Sequence, residues 1–146
     1  MNAPFLGEYR HTLDEKGRVS IPSRFRPFLG DRFFLAKVVE PCLFVFPQEE
    51  WLSFRDNLNQ MGGNTPKLRA FERKVFSGAV ECAFDRAGRF VIPQHLRDYA
   101  KLNGEVIVVG VGKRMEIWDV KEWENYQNSA EEKYQGFSEE FDQLKL

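Results

Sequence analysis

The 146-residue sequence has few cysteines: Cys42 and Cys82 stand alone, with no CxxC pair and no histidine pair nearby. A structural zinc site needs about four ligands at suitable spacing, so we expect no metal site. Isolated thiols of this kind are typical of reduced core cysteines in a cytoplasmic protein.

Long hydrophobic runs are also missing, since no apolar segment approaches the roughly 20 residues of a membrane helix. Residues 1–6 lack the basic and apolar regions of a signal peptide, so we expect a cytoplasmic protein with no membrane partner. The V-G-V-G-K segment around Gly110 and Lys113 lacks the spacing of a phosphate loop. No motif therefore predicts a cofactor or a small-molecule substrate.

The chain has no strong overall charge, because 21 Lys and Arg oppose 22 Asp and Glu, a net charge of −1. The distribution is uneven, with −5 over residues 119–146 and +4 over the rest. A local basic surface suits a polyanionic partner, although charge alone fits an ordinary solvated face equally well. The basic residues that crowd into one stretch are Arg10, Lys16, Arg18, Arg24, Arg26 and Arg32.

An internal repeat is the most informative feature of the sequence. D-E-K-G-R at 14–18 aligns with D-R-A-G-R at 85–89, at a spacing of 71 residues. Internal repeats predict a duplicated architecture. We therefore predict a first module over 5–60, a connecting helix over 61–75, a second module over 76–135 and an acidic tail over 136–146. Other pairs at the same spacing are Ile21-Pro22 with Ile92-Pro93 and Arg26 with Arg97.

Each module is predicted to begin with a β-hairpin and to continue into a short helix. D-x-x-G-R is a turn signal, because aspartate accepts backbone amides and glycine adopts positive φ. Pro22 and Pro93 mark helix starts, giving Pro22–Leu29 and Pro93–Leu102. Two apolar strands and a Trp-bearing helix complete each module, and Thr65 is expected to cap a helix over Pro66–Phe76. The Trp-bearing helices are predicted over Gln48–Gln60 and Val120–Tyr134.

The repeated turn is the candidate binding site. A tight turn holds an arginine in place, and a guanidinium matches both phosphate oxygens and guanine O6 and N7. A two-stranded ribbon also fits the DNA major groove. A purely structural turn, in which each arginine pairs with its own aspartate, would have the same sequence. The predicted DNA-binding residues are Arg18, Arg89, Lys16, Arg10, Arg24 and Arg86, and the turn-structuring residues are Asp14, Gly17, Asp85 and Gly88.

The string G-E-Y-R-H-T-L-D-E-K-G-R-V-S-I-P, from Gly7 to Pro22, resembles the first module of the MraZ family. The second D-x-x-x-R, followed by Ile92-Pro93, is the other hallmark of that family. The similarity covers nearly the whole chain. It implies an α+β fold, a duplicated AbrB-like swapped-hairpin β-barrel with flanking short helices, in a ring-shaped homo-oligomer.

The resemblance also implies a function. Members are bacterial, cytoplasmic and nucleoid-associated regulators of transcription that bind double-stranded DNA at G-rich direct repeats. The repeats precede the division and cell-wall gene cluster, and the usual effect is repression. Arg18 and Arg89 would contact DNA, with Asp14 and Asp85 as their turn partners. Since the second module is more acidic around Glu81 and Asp98, we expect Arg18 to contribute more than Arg89.

Two other functions are compatible with parts of the sequence. One aspartate per half, Asp14 and Asp85, allows a paired-carboxylate hydrolase, but the adjacent Lys and Arg favour permanently ionised carboxylates. An acidic C-terminal segment and the repeated Trp51 and Trp123 allow a protein-interaction module without DNA binding. We predict that the protein is not an enzyme and has no catalytic residue.

Overall fold

The computed structural model describes residues 3–61 and 64–144. Residues 62–63 of the predicted connecting segment and 145–146 of the predicted tail lie outside the described residues. The strands are β1 Glu8–Thr12, β2 Arg18–Ser20, β3 Phe33–Ala36, β4 Leu43–Pro47, β5 Val80–Cys82, β6 Arg89–Val91, β7 Glu105–Gly110 and β8 Met115–Asp119. The helices are α1 Arg26–Leu29, α2 Gln48–Asn59, α3 Pro66–Gly78, α4 Gln94–Ala100, α5 Val120–Tyr134 and α6 Ser138–Asp142.

Local sequence signals explain where several helices begin. Thr65 accepts a hydrogen bond from the Leu68 amide at 3.1 Å, and Pro66 occupies the first turn, so the predicted cap of α3 is confirmed. The predicted helix Pro22–Leu29 is instead divided into a 3-10 turn, Ser23–Phe25, and α1. Pro27 is the physical reason, because it has no backbone N–H to continue an α-helical hydrogen-bond pattern through this segment.

The two halves of the chain share one antiparallel sheet in the order β1-β7-β8-β4-β3-β5. The β3–β4 hairpin of the first half meets the β7–β8 hairpin of the second through the β4–β8 pair at the centre. Each edge strand pairs with the other half, since β1 lies against β7 and β5 lies against β3. The halves are therefore intertwined rather than placed side by side.

A separate ribbon forms from the two short strands β2 and β6, again one from each half. Neither β1 with β2 nor β5 with β6 forms a ladder, so the predicted hairpins do not pair within their own halves. The predicted α+β class is confirmed. The described strands form no closed barrel, because β1 and β5 are the two separate edges of an open sheet and the ribbon is not joined to either.

Both faces of the sheet are buried, which explains the continuous apolar runs of its central strands. Along β7, Val106 and Val108 join the core beneath the ribbon, whereas Ile107 and Val109 join the core beneath the long helices. The ribbon contributes Val19 and Phe90 to the first core. The molecule therefore has three layers: the ribbon with short helices, the sheet, and α2, α3 and α5 on the opposite face. None of the helices in the described ranges is both long and apolar enough to cross a membrane.

Replacement of Phe90 should show how strongly the ribbon depends on this core. Phe90 is 2% exposed, so we expect Phe90→Ala to lower the free energy of unfolding by about 3–5 kcal/mol. Its neighbour Val91 faces outward and is 53% exposed, so Val91→Ala should change stability by no more than about 0.5 kcal/mol. Chemical denaturation of both variants measures the difference. Equal effects would contradict the assignment of the inner and outer faces of the ribbon.

Candidate nucleic-acid interface

The first D-x-x-G-R turn is organised by the carboxylate of Asp14. Its Oδ1 accepts the backbone amides of Lys16 and Arg18 at 2.9 and 2.8 Å. Its Oδ2 accepts Nε of Arg18 at 2.7 Å. Gly17 has a φ of 80°, which side-chain-bearing residues rarely adopt. Asp14 thus accepts two amides of the turn, and Gly17 supplies its positive φ.

The second turn repeats this arrangement more loosely. Asp85 Oδ1 accepts the amides of Ala87 and Arg89, both at 2.9 Å, and Gly88 has a φ of 77°. Nε of Arg89 lies 3.4 Å from Asp85 Oδ2, an ion pair rather than an aligned hydrogen bond. Arg89 also places a terminal nitrogen 3.8 Å from Asp14 Oδ2. The second arginine therefore lies between the carboxylates of both turns.

The ribbon brings the two turns into one surface. Its register pairs Arg18 with Val91 and Ser20 with Arg89, so these four side chains share the outer face. Diagonal neighbours on such a face are about 7–8 Å apart, which makes Arg18 and Arg89 adjacent. The sequence predicted one arginine on each of two separate hairpins, and gave no sign that the two would converge.

The electrostatics of the turns keep both aspartates ionised. The backbone amide of Arg18 lowers the pKa of Asp14, and hydrogen bonds from the Arg18 side chain and the Lys16 amide lower it further. The backbone amide of Arg89 likewise lowers the pKa of Asp85. Each motif arginine is thus matched by a carboxylate. The arginine side chains remain 30% and 38% exposed, and among the described residues no hydrogen bond or ion pair involves the terminal nitrogens of Arg18.

Excess positive charge comes from residues around the motif arginines. Lys16 and Arg86 are exposed at the two turn tips, where a ligand can reach them. Arg26, which belongs to the predicted basic stretch, and Arg97, which was absent from the predicted site, lie against the turn glycines. The equivalence of Arg97 with Arg26 in the repeat is the signal that could have identified it. The surface formed by the outer ribbon face, both turns and these two arginines is called the ribbon surface below.

Two of the predicted basic residues are not brought to the ribbon surface. Arg10 lies opposite Ile107 in the β1–β7 pair, on the helix-covered face of the sheet, and forms an ion pair with Glu105 at 2.9 Å. Arg24 lies over the Tyr9 ring at 4.9 Å and hydrogen-bonds the Tyr9 hydroxyl, at the far end of β1 from the turn. The ribbon surface thus contains four of the six predicted DNA-binding residues.

Other chemistry has little support in the described part of the chain. Residues 3–61 and 64–144 contain no group of three or more His, Cys, Asp or Glu side chains placed to hold a metal ion. Cys42 and Cys82 are free and buried. Burial raises the pKa of the Cys82 thiol to about 12 and that of Cys42 further, so both stay protonated at neutral pH.

The fold and the ribbon surface define a class: a duplicated, intertwined α+β protein that presents one basic two-stranded ribbon. A family model described as "MraZ protein, putative antitoxin-like" matches the chain twice, over residues 5–74 and 75–144. The chain belongs to the MraZ family of transcriptional regulators.

Individual relatives extend over nearly the same length. A transcriptional regulator MraZ from Carboxydothermus hydrogenoformans is 49% identical over 92% of this chain and 94% of its own. The transcriptional regulator MraZ of Desulforamulus reducens is 46% identical over 92% and 95% of the two chains. The protein of that name from Pelotomaculum thermopropionicum is 44% identical over 97% and 98%. These bacterial relatives confirm the predicted family and its regulatory role in transcription.

Titration of the two turn aspartates tests this description in solution. We expect the carboxyl groups of Asp14 and Asp85 to titrate below the ordinary value of 3.8, because backbone amides stabilise their ionised forms. The stabilisation is present above the ordinary aspartate range and is lost as the pH falls through the lowered pKa. Carbon-detected NMR of the side-chain carboxyls measures both values. A pKa at or above the ordinary value would show that the carboxylates do not accept hydrogen bonds from these amides.

Proposed function

We propose that this protein binds double-stranded DNA in a sequence-specific manner through the ribbon surface and thereby regulates transcription. The observation that carries the proposal is the convergence of Arg18 and Arg89 on the outer face of one ribbon. A two-stranded ribbon has the width that the major groove admits. Both arginines would then face the edges of neighbouring base pairs.

The ion pair within each turn suits the reading of bases. Asp14 holds Arg18 through Nε, which leaves the two terminal nitrogens to form a fork. A guanidinium fork donates to O6 and N7 of guanine, so the site favours G-rich elements. Lys16 and Arg86 at the turn tips are placed for phosphates, which position the protein without reading sequence. The same aspartate–arginine pair therefore stabilises the turn and orients the guanidinium for binding.

The strand exchange supports the finer fold assignment, an AbrB-like swapped-hairpin arrangement in which each half completes the other. It also means that one chain carries one composite site, not two. Recognition of repeated elements then requires several chains, and we propose a ring-shaped homo-oligomer that places one chain on each repeat. Avidity would strengthen the binding of the assembled ring. We propose that it is nucleoid-associated and represses the division and cell-wall gene cluster from promoter repeats.

The electrostatics of the site give no support to a paired-aspartate hydrolase. Two carboxylates that share a proton raise the pKa of one of them, whereas both turn aspartates have a lowered pKa. Arg89 lies within 3.4–3.8 Å of both carboxylates, and the backbone amides of each turn favour the ionised form of its aspartate. A protein-interaction module without DNA binding is an outcome that the following experiment distinguishes.

Fluorescence anisotropy with duplex DNA from upstream of the protein's own gene tests the proposal. We expect Arg18→Ala to weaken binding by about 5- to 150-fold, the value of one good base contact, and Arg89→Ala to weaken it less. Lys16→Ala should weaken binding to all sequences alike. It should also reduce the slope of log K against log salt concentration by about one. Arg10→Ala removes the same charge from the opposite face and should bind as the wild type does.

A scrambled duplex and two salt concentrations complete this test. Selective, salt-sensitive binding is expected from the wild type. Absence of binding at low salt, from a folded protein, would refute the DNA-binding proposal and favour a protein partner. Equal losses in the Arg10 and Arg18 variants would leave general charge, rather than the ribbon surface, as the cause.

The homo-oligomer has its own measurement. Light scattering coupled to size-exclusion chromatography should give a mass that is several times the 17.1 kDa of one chain. Negative-stain images should show closed rings, since a head-to-tail interface that closes produces a ring. A monomeric mass at micromolar concentration would contradict the proposed assembly, without affecting the assignment of the ribbon surface.

A further inference from the structure

Arg97 of the second half lies directly against the turn of the first half. A Cβ atom added to Gly17 would lie 2.8 Å from Cζ of Arg97 and 3.0 Å from its Nε. It would also lie 3.0 Å from the carbonyl oxygen of Ile92, whose amide donates to the Gly17 carbonyl at 2.8 Å. The turn that carries Arg18 therefore rests on backbone and side-chain atoms of the other half.

Arg26 has the same position at the second turn. A Cβ atom on Gly88 would overlap the Arg26 guanidinium, so the guanidinium lies over the bare backbone of that glycine. Arg26 and Arg97 are equivalent positions of the repeat. The contact therefore occurs at both turns, and each time an arginine of one half contacts the turn of the other half.

An ion pair does not explain the position of either guanidinium. Among the described residues no carboxylate lies within salt-bridge distance of Arg26 or Arg97, and the Nε atom of each is buried without a hydrogen-bond partner. Leaving such an atom unpaired has a cost. The contacts that offset it are those with the turn glycine and, for Arg26, also with the Phe84 ring at 5.7 Å. A planar guanidinium can lie flat on a peptide group, which a lysine ammonium cannot do.

We propose that Arg97 and Arg26 are positioning residues, each of which holds the DNA-reading turn of the opposite half. Arg97 holds the Asp14–Arg18 turn, and Arg26 holds the Asp85–Arg89 turn. The flat guanidinium packs on the turn glycine, limits the motion of the backbone and thereby maintains the amide–carboxylate bonds that orient Arg18 or Arg89. The effect on DNA rests on the proposed function, whereas the effect on the turns does not.

Hydrogen exchange of the turn amides tests the proposal without DNA. Arg97→Lys keeps the charge and removes the planar group, so the amides of Lys16 and Arg18 should exchange at least about 5-fold faster. The amides of Ala87 and Arg89 should be unchanged. Arg26→Lys should give the reverse pattern. Arg24→Lys, at an arginine that lies on Tyr9 away from the turns, is the matched control and should change neither.

The proposal requires that each substitution speeds exchange in the turn of the opposite half and not in the turn of its own half. Unchanged exchange in both turns, or faster exchange only in the turn of the substituted half, would overturn the proposal. If Arg97→Lys does not fold, Arg97→Met keeps an unbranched apolar side chain without the guanidinium and is judged by the same pattern.

DNA binding supplies a second readout. Arg97→Lys should weaken binding by about 5-fold or more, and the loss should largely disappear when Arg18 is already alanine but persist when Arg89 is alanine. The salt dependence should equal that of the wild type, because no charge is lost. Wild-type affinity in Arg97→Lys would refute the positioning role in recognition. Failure of the wild type itself to bind DNA would refute the proposed function and leave the exchange result standing.

Discussion

Pairing between the two halves is the constraint on which the rest of the structure depends. Within residues 3–61 and 64–144, strand β2 pairs with β6 alone, and a ribbon with three residues in each strand is marginal by itself in water. It is held because Val19 and Phe90 are buried beneath it, together with Ile21 and Ile92. Each half also supplies an edge strand to the other half's hairpin. The ribbon surface therefore exists only when both halves have folded together, which makes the duplication a structural requirement and not merely a doubling of sites.

The turn aspartates connect this scaffold to recognition. A free arginine side chain loses considerable rotational entropy when it binds, and prior restraint reduces that loss. Asp14 fixes both the backbone amide and Nε of Arg18, so the direction of the guanidinium is set by the turn. Neutralisation by the carboxylate removes the net charge of the pair, so non-specific attraction to DNA would come from the other basic residues of the ribbon surface, Lys16, Arg86, Arg26 and Arg97. The division suits a site in which one set of residues reads bases and another contacts phosphates.

Much of the local structure could be predicted from the sequence, because it depends on neighbours along the chain. The D-x-x-G-R turns, the Thr65 cap and the apolar strands belong to this group. The convergence of Arg18 and Arg89 could not, since strand periodicity shows which side chains share a face and not which strand pairs with which. The same limit explains Arg10: its strand pattern was correct, but the face it occupies became evident only from the pairing with β7. The contacts of Arg26 and Arg97 with the turns depend on the same long-range pairing.

The two turns are not equivalent, and this asymmetry bears on the DNA elements that the ribbon surface would fit. Arg18 is tightly bound by its own aspartate at 2.7 Å, whereas Arg89 is 3.4 Å from Asp85 and leans towards Asp14 at 3.8 Å. The turn tips differ as well, with Lys16 at the third position of one and Arg86 at the second position of the other. A site with true two-fold symmetry would match a palindrome, as symmetric dimers do. A site whose halves have diverged within one chain would read an element in one orientation, and the proposed ring of such chains would then fit direct repeats.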